Sequence, residues 1–125
     1  MAIKILRVEK DFVKIPLIKG HWAKAIIWPG MGAKNASVHY CEYAKGQESV
    51  GHIHPYSEDV FYIVRGKAIV FDQTNGLEHP VEEGCVVYVE PGTKHMVRSL
   101  TDGFLNVGGP CPPDKEMYIR AGIKW

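Results

Sequence analysis

Two histidines and an acidic pair stand close together near the middle of this chain. His52 and His54 are separated by one residue, and Glu58-Asp59 follows a Pro55-Tyr56-Ser57 stretch that is typical of a turn. Residues two apart on a strand point to the same face, so both imidazoles can aim at one point. The turn then brings an acidic residue back on the neighbouring strand. Imidazole and carboxylate suit divalent metals such as Fe, Mn, Ni, Co and Zn. Taken alone, however, the His-x-His pair also fits two polar residues on an exposed strand face, which is the commoner case.

The segment around these residues resembles the first signature motif of the cupin superfamily. In that family the motif reads Gly, five residues, His-x-His, three or four residues, Glu, six residues and Gly. This chain matches the four-residue spacing at Gly46, His52, His54 and Gly66, with Asp59 in the acidic position.

A later segment resembles the second cupin motif, which reads Gly, five residues, Pro-x-Gly, two residues, His, three residues and Asn. The matching residues are Gly84, Gly92 and His95, whereas Glu90 takes the Pro position and Ser99 the Asn position. The two departures fall on a turn and on a position outside the ligand set, where cupins tolerate change. The resemblance spans residues 46–99, with residues 67–83 between the two motifs.

The resemblance implies that one divalent transition metal (Fe, Mn, Ni, Co or Zn) is held by His52, His54, Asp59 and His95. Asp is one methylene shorter than the family's Glu, and Glu58 is the alternative ligand because the family also allows three intervening residues. Asp59 is favoured, since it lies six residues before Gly66 as the family acid does. Adjacent residues on a strand face opposite sides, so only one of the acidic pair faces inward. The same register predicts that Phe61 and Ile63 face inward.

Short β-type segments separated by turn residues recur along the chain. The predicted strands are Ser37–Tyr43, Val60–Val64, Lys67–Phe71, Cys85–Val89 and Met96–Leu100. Such even spacing indicates an all-β sandwich or barrel. Helical periodicity occurs only near the end, over 115–121, with Gly122 as a C-cap. The resemblance implies an all-β cupin-type antiparallel barrel, jelly-roll-like, with a short C-terminal helix.

The chain contains no repeat and no linker, and its 125 residues suit one domain. We therefore expect a single cupin domain over 1–125, with an extended N-terminal arm over 1–30 and the metal-binding core over 46–99. Cupins of this size commonly pair as homodimers by adding an N-terminal strand to the partner's sheet. The apolar arm is suited to that role, because an exposed strand edge must be covered.

Charge and composition exclude several classes of partner. The net charge of +1 gives no indication of a nucleic acid or an anionic membrane as the main partner. The longest apolar stretches, such as 25–28, are too short to span a bilayer, and no secretory signal is visible at the N-terminus. The three cysteines, Cys41, Cys85 and Cys111, show no Cys-x-x-Cys spacing. Reduced thiols in a cytoplasmic protein are favoured over a disulfide.

The remaining histidines are given structural roles. His21 in the arm and His79 in the predicted turn region Gly76–Pro80 are expected to be solvated. His39 lies on the strand before the first motif, and placement in the core or beside the ligands is favoured over direct metal ligation. Tyr56 is interpreted as a surface residue, with gating of the cavity as the alternative.

Two functions remain open. The first is a metal-dependent enzyme acting on a small organic substrate, because three histidines and one carboxylate leave two open positions on a six-coordinate metal. Dioxygenase, decarboxylase, isomerase and lyase reactions all occur on similar scaffolds, and the fold does not choose among them. The alternative is a non-catalytic module that binds a sugar or another small molecule. No catalytic residue beyond the metal ligands is identified.

Overall fold

The computed structural model describes residues 1–125, which form nine β-strands, a single 3-10 turn and a short helix. The strands are β1 (Val13–Ile15), β2 (Ala23–Ile27), β3 (Val38–Tyr43), β4 (Glu58–Arg65), β5 (Lys67–Asp72), β6 (Leu77–Glu82), β7 (Val86–Val89), β8 (His95–Ser99) and β9 (Phe104–Cys111). The 3-10 turn covers Pro29–Met31, and helix α1 covers Lys115–Arg120. The strands form a six-stranded sheet, in the order β1-β2-β3-β9-β4-β7, and a three-stranded sheet, in the order β6-β5-β8. The predicted all-β cupin-type fold with a short C-terminal helix is confirmed.

Strand β4 carries the clearest alternation of buried and exposed side chains. Asp59, Phe61 and Ile63 are buried, whereas Val60 and Tyr62 are exposed on the opposite face. This period of two is what a strand with one face on the core and one face on water requires. The strand lies inside the six-stranded sheet, between β9 and β7. The inward register predicted from the sequence is therefore the observed one.

The segment before β4 connects the two sheets at the position of the two histidines. Its backbone runs antiparallel to β8, with isolated bridges between Glu48 and Arg98 and between His52 and His95. The amide of His52 donates to the His95 carbonyl at 3.1 Å, and the reverse bond measures 3.0 Å. Backbone pairing thus brings the two sequence motifs side by side.

Strand β9 is the element that the sequence analysis does not predict. It contains Gly108, Gly109 and Pro110, a combination typical of turns. In the structure it lies at the centre of the large sheet, between β3 and β4. A Cβ atom at Gly108 would collide with the carbonyl oxygen of Val60. The glycine therefore allows two backbones to approach closely, a role glycine takes inside strands.

The prediction of a turn region around His79 is wrong. Residues Leu77–Glu82 form strand β6, which pairs only with β5 and lies at the edge of the small sheet. Pro80 is tolerated there because an edge strand has one side free of ladder hydrogen bonds. His79 itself is exposed, as predicted.

The N-terminal arm contributes two strands to the sheet of its own chain. β1 pairs with β2, and β2 pairs with β3, so residues 13–27 are paired within the molecule. Ala23, Ala25 and Trp28 are buried there. The stretch before β1 has no regular strand, and Ile3 and Ile5 are largely exposed. Within that stretch, the amides of Lys10 and Asp11 donate to the Arg7 carbonyl and form a turn, so the expected arm is folded onto its own chain from there to β2.

Helix α1 closes one end of the core, as the sequence predicts to within a residue. Tyr118 is fully buried and its ring lies 5.6 Å from that of Trp28, centroid to centroid. Gly122 follows with a φ of 77°, the left-handed conformation typical of the residue after a helix. The same core cluster includes Ile15, Phe61 and Phe104. At six residues, α1 is too short to cross a membrane, and no other α-helix is present.

Candidate metal centre

Four potential metal ligands converge inside the mouth of the barrel. One ligand atom from each of His52, His54, Asp59 and His95 lies within 4.8 Å of the others. His52 and His54 come from the segment before β4, Asp59 from β4 and His95 from β8. Ring centroids of His52 and His95 are 4.3 Å apart, and those of His52 and His54 are 4.7 Å apart. The structure therefore brings together all four residues that the sequence analysis selected.

Each imidazole is oriented by a hydrogen bond on its outer nitrogen. Nδ1 of His52 lies 2.6 Å from the Val50 carbonyl, and Nδ1 of His95 lies 2.8 Å from the Thr93 carbonyl. A carbonyl oxygen only accepts, so each Nδ1 carries the hydrogen. Both Nε2 atoms are then directed towards the centre, that of His95 at 2.9 Å from Oδ2 of Asp59, which is the orientation in which a histidine can bind a metal.

His54 has a carboxylate as its outer partner. Its Nδ1 lies 2.9 Å from Oδ2 of Asp114, a residue just before α1, and its Nε2 faces Asp59 at 3.6 Å. A carboxylate that accepts from a ligating histidine fixes its tautomer and raises its basicity. The sequence analysis did not select Asp114 for the site. It lies 60 residues from His54 and belongs to neither motif, so no local pattern indicated it.

The acidic position is occupied by Asp59 and not by Glu58. Asp59 is 6% exposed, and its Oδ2 lies 2.9 Å from Nε2 of His95. Glu58 is exposed on the other face, where it accepts a hydrogen bond from the Tyr88 hydroxyl. The carboxylate that faces the three imidazoles is therefore the shorter one.

Burial and mutual contacts shift the acidities of the site. Burial lowers the pKa of His52 to about 4, with a further contribution from His95. Burial alone would raise the pKa of Asp59, but the imidazoles of His54 and His95 that face its carboxylate outweigh burial and hold this pKa well below its usual range. For His54, burial is outweighed by the facing carboxylates of Asp59 and Asp114, so its pKa is raised. At neutral pH the centre thus contains a neutral His52 and an ionised Asp59.

The donor set fits a divalent transition metal. A metal about 2.1 Å from each ligand atom separates opposite ligands by about 4.2 Å. The observed spread of up to 4.8 Å needs only a small contraction to reach that value. Three imidazole nitrogens and one carboxylate oxygen suit Fe, Mn, Ni, Co or Zn rather than Mg or Ca.

Two cavities meet at these residues. A cleft of about 720 Å³ on the outer side is lined by His52 and His54, together with residues of α1. A small interior cavity of about 40 Å³ touches all four potential ligands and continues to Tyr43 and Asn106. The two histidines lie on the boundary between both spaces, so a molecule in the cleft would approach the centre past them.

The other histidines lie outside the cluster. His39 is buried, and its Nε2 is 2.6 Å from the Tyr118 hydroxyl, which connects β3 to α1. Burial lowers its pKa to about 4. This placement in the core, beside the ligands, is the one favoured from the sequence. His21 is exposed, and Tyr56 is 89% exposed on the wall of the cleft.

Comparison with known proteins finds a family whose matched segment includes both sequence motifs. The family described as "Cupin domain" matches residues 39–106. The tetracenomycin polyketide synthase protein TcmJ of Streptomyces glaucescens is 27% identical over 82 residues, which are 65% of this chain and 54% of TcmJ. The chain thus spans about half the length of that relative.

Solved structures share the fold at low sequence identity. KdgF from Halomonas sp. superposes with a TM-score of 0.70 and 18% identity, covering 90% of this chain and 96% of KdgF. The polyketide cyclase RemF from Streptomyces resistomycificus gives a TM-score of 0.67 and 18% identity, covering 95% and 94% of the two chains. The family match covers more than half of the sequence and includes all four converging residues, and this chain belongs to the cupin family.

Proposed function

We propose that this cupin is a metal-dependent enzyme that converts a small organic substrate at a centre formed by His52, His54, Asp59 and His95. The proposal is carried by one observation: three imidazoles with occupied Nδ1 atoms and one buried carboxylate converge where a surface cleft ends. A bound divalent ion would act there as a Lewis acid that polarises an oxygen of the substrate.

The residues around this centre would have different roles. His52, His54, Asp59 and His95 would hold the ion, and four protein ligands leave two positions of a six-coordinate ion for substrate or water. The cleft meets the centre at His52 and His54, so a substrate would approach a bound ion from this side. Asp114 keeps the Nε2 atom of His54 directed inward.

The complete donor set favours an enzyme over the non-catalytic module that binds a sugar or another small molecule. Both would use the cleft, but a module that only bound its ligand there would not need all four ligand positions to be filled by competent donors. Dioxygenase, decarboxylase, isomerase and lyase reactions all remain within the proposal. The names of TcmJ and RemF both refer to polyketide chemistry, which adds polyketide-like aromatic compounds to the substrates worth testing.

The test is turnover by the reconstituted protein. Protein loaded separately with Fe, Mn, Ni, Co and Zn is incubated with 2-oxo acids, catechols, sugar phosphates and aromatic polyketide mimics, and products are identified by mass spectrometry. We expect conversion of one substrate class, its loss in His95→Ala and its retention in His79→Ala. Binding without conversion across all metals would favour the non-catalytic module.

The proposal extends to the assembly and location of the protein. One domain over 1–125 is supported by a core cluster that runs from Ile15 to Tyr118. A homodimer is supported by the exposed Ile3 and Ile5 before β1, which a partner's surface would cover. A cytoplasmic location is supported by three unpaired cysteines.

Sedimentation tests the proposed homodimer. At micromolar concentration it should give twice the mass of 14.0 kDa, and a monomer would contradict the dimer.

A further inference from the structure

The cleft in front of the centre has a wall of apolar side chains. It is formed by Ile15, Leu17, Val50, Ile53, Tyr56 and Met117. Val50 and Ile53 are 42% and 43% exposed, and Tyr56 is 89% exposed. Ile15 behind them is buried, so Val50, Ile53 and Tyr56 are the part of the wall that faces water. Exposed apolar side chains that line a concave surface are typical of a site that an apolar ligand covers.

The rim of the same cleft carries two cations without partners. Lys94 and Arg120 line the cleft and are exposed, and neither appears in any ion pair of the structure. Glu116 is the one acid of the rim that is free, because Asp114 is engaged with His54. A divalent ion would offset the charges of Asp59 and Asp114. The charges of Lys94, Arg120 and Glu116 then give the cleft a net charge of about +1, which favours an anionic ligand.

We propose that the cleft binds an organic acid with an apolar body, such as a 2-hydroxy or 2-oxo acid bearing an aromatic or branched group. The carboxylate and the neighbouring oxygen would take the open metal positions in the cleft whose rim carries Lys94 and Arg120, and the body would pack against Tyr56 and Ile53. This inference rests on the proposed function, because the ion supplies part of the anchor. A sugar phosphate fits poorly, since the apolar wall leaves its hydroxyls without partners.

The direct test compares two acids with the same head group. Isothermal titration calorimetry measures binding of L-3-phenyllactate and of lactate to the Co²⁺-loaded protein, with glucose 6-phosphate as a third probe. Burial of the phenyl ring should make phenyllactate bind at least about tenfold more tightly than lactate. Glucose 6-phosphate should bind more weakly than phenyllactate. Equal affinities for the two acids, or tighter binding of the sugar phosphate, would overturn the proposal.

Two variants test the contributions of the apolar wall and of the cationic rim separately. Tyr56→Ser should remove most of the advantage of phenyllactate and leave lactate unchanged, whereas Arg120→Gln should weaken both acids by about fivefold. Tyr62→Ser, on the outer face of β4, and the exposed Lys34→Gln are the matched controls. The proposal is overturned if the controls weaken binding as much as the cleft variants do.

Titration of the metal-free protein separates this proposal from the proposed function. The wall and the two cations remain without the ion, so the preference for phenyllactate should persist at lower affinity. One equivalent of bound Co²⁺ with no preference between the acids would overturn the ligand class and leave the metal centre standing. No uptake of Co²⁺ would overturn the metal centre, and the metal-free titration would still decide the ligand class.

Discussion

Three histidines in this site are directed by three different acceptors. His52 and His95 donate to carbonyls two residues before them in the chain, whereas His54 donates to a carboxylate from the C-terminal segment. The first two contacts join residues that are two apart in the chain, so the local backbone conformation is sufficient to form them. The third depends on how the C-terminal segment packs on the barrel, so His54 is the ligand whose orientation depends on a remote element.

Removal of the Asp114 carboxylate should therefore weaken metal binding without changing the ligand set. Asp114→Ala is expected to lower Co²⁺ affinity by about 10–100-fold, the usual effect of losing a partner that orients a ligating histidine. Asp114→Asn should recover most of this loss, because its amide oxygen accepts the same hydrogen bond. Titration of the visible Co²⁺ absorption measures both, with Glu116→Gln as control. An Asn variant as weak as the Ala variant would show that this hydrogen bond does not position His54.

The two neighbouring carboxylates should differ sharply in their contribution. Asp59→Asn removes the buried carboxylate charge on the inner side of the imidazoles. The loss of Co²⁺ affinity should exceed the upper limit of about 100-fold expected for an outer partner such as Asp114. Glu58→Gln changes a surface contact with Tyr88 and should leave Co²⁺ affinity within about twofold of the parent protein. Asp59→Glu should retain metal. A large loss of Co²⁺ affinity in Glu58→Gln would show that the inward register assigned to β4 is wrong by one residue.

At the level of elements, the sequence predicts best what depends on local pattern. The alternation over β4 gives both the strand and its inward face, and the helix over α1 is bounded by Gly122. Strand β9 escapes prediction because Gly108 is selected by the close approach of β4, a contact between segments far apart in the chain. Asp114 escapes prediction for the same reason, because its contact with His54 also joins segments far apart in the chain. For the site, the spacing of the two motifs identifies the four converging residues but not what lies behind them.

The contact between β3 and α1 should make stability depend on pH. His39 is buried with a pKa lowered to about 4, while in the unfolded chain its pKa is about 6.5. The unfolded state therefore binds more protons between these values, so stability falls as pH falls through this window. Between pH 7 and pH 5 this one residue should cost about 2 kcal/mol.

Urea unfolding of the metal-free protein at pH 7 and pH 5 tests this effect. His39→Gln should lose about 2 kcal/mol less than the parent protein over this interval, whatever its stability at pH 7. His79→Gln, which alters an exposed histidine, should behave as the parent does. An unchanged pH dependence in His39→Gln would contradict a neutral, buried His39.

For the whole molecule, the barrel separates an interior cavity, which touches all four converging residues, from an outer cleft, and His52 and His54 lie between the two spaces. The large sheet supplies Asp59, the small sheet supplies His95, and the segment beside β8 supplies His52 and His54. Strand β1 and helix α1 also line the cleft, through Ile15 and Met117. The cleft is thus lined by residues of both motifs, among them Ile53, Tyr56 and Lys94, together with residues outside the motifs from β1 and α1.

The central claim is that these four side chains hold one divalent ion, and anomalous diffraction from metal-loaded crystals tests it most directly. Elemental analysis should give about one equivalent of metal per chain. The anomalous peak should lie about 2.0–2.2 Å from Nε2 of His52, His54 and His95 and from one oxygen of Asp59. Well under one equivalent after reconstitution with each of Fe, Mn, Ni, Co and Zn would contradict the account, as would a peak bound to Glu58 or away from the cluster.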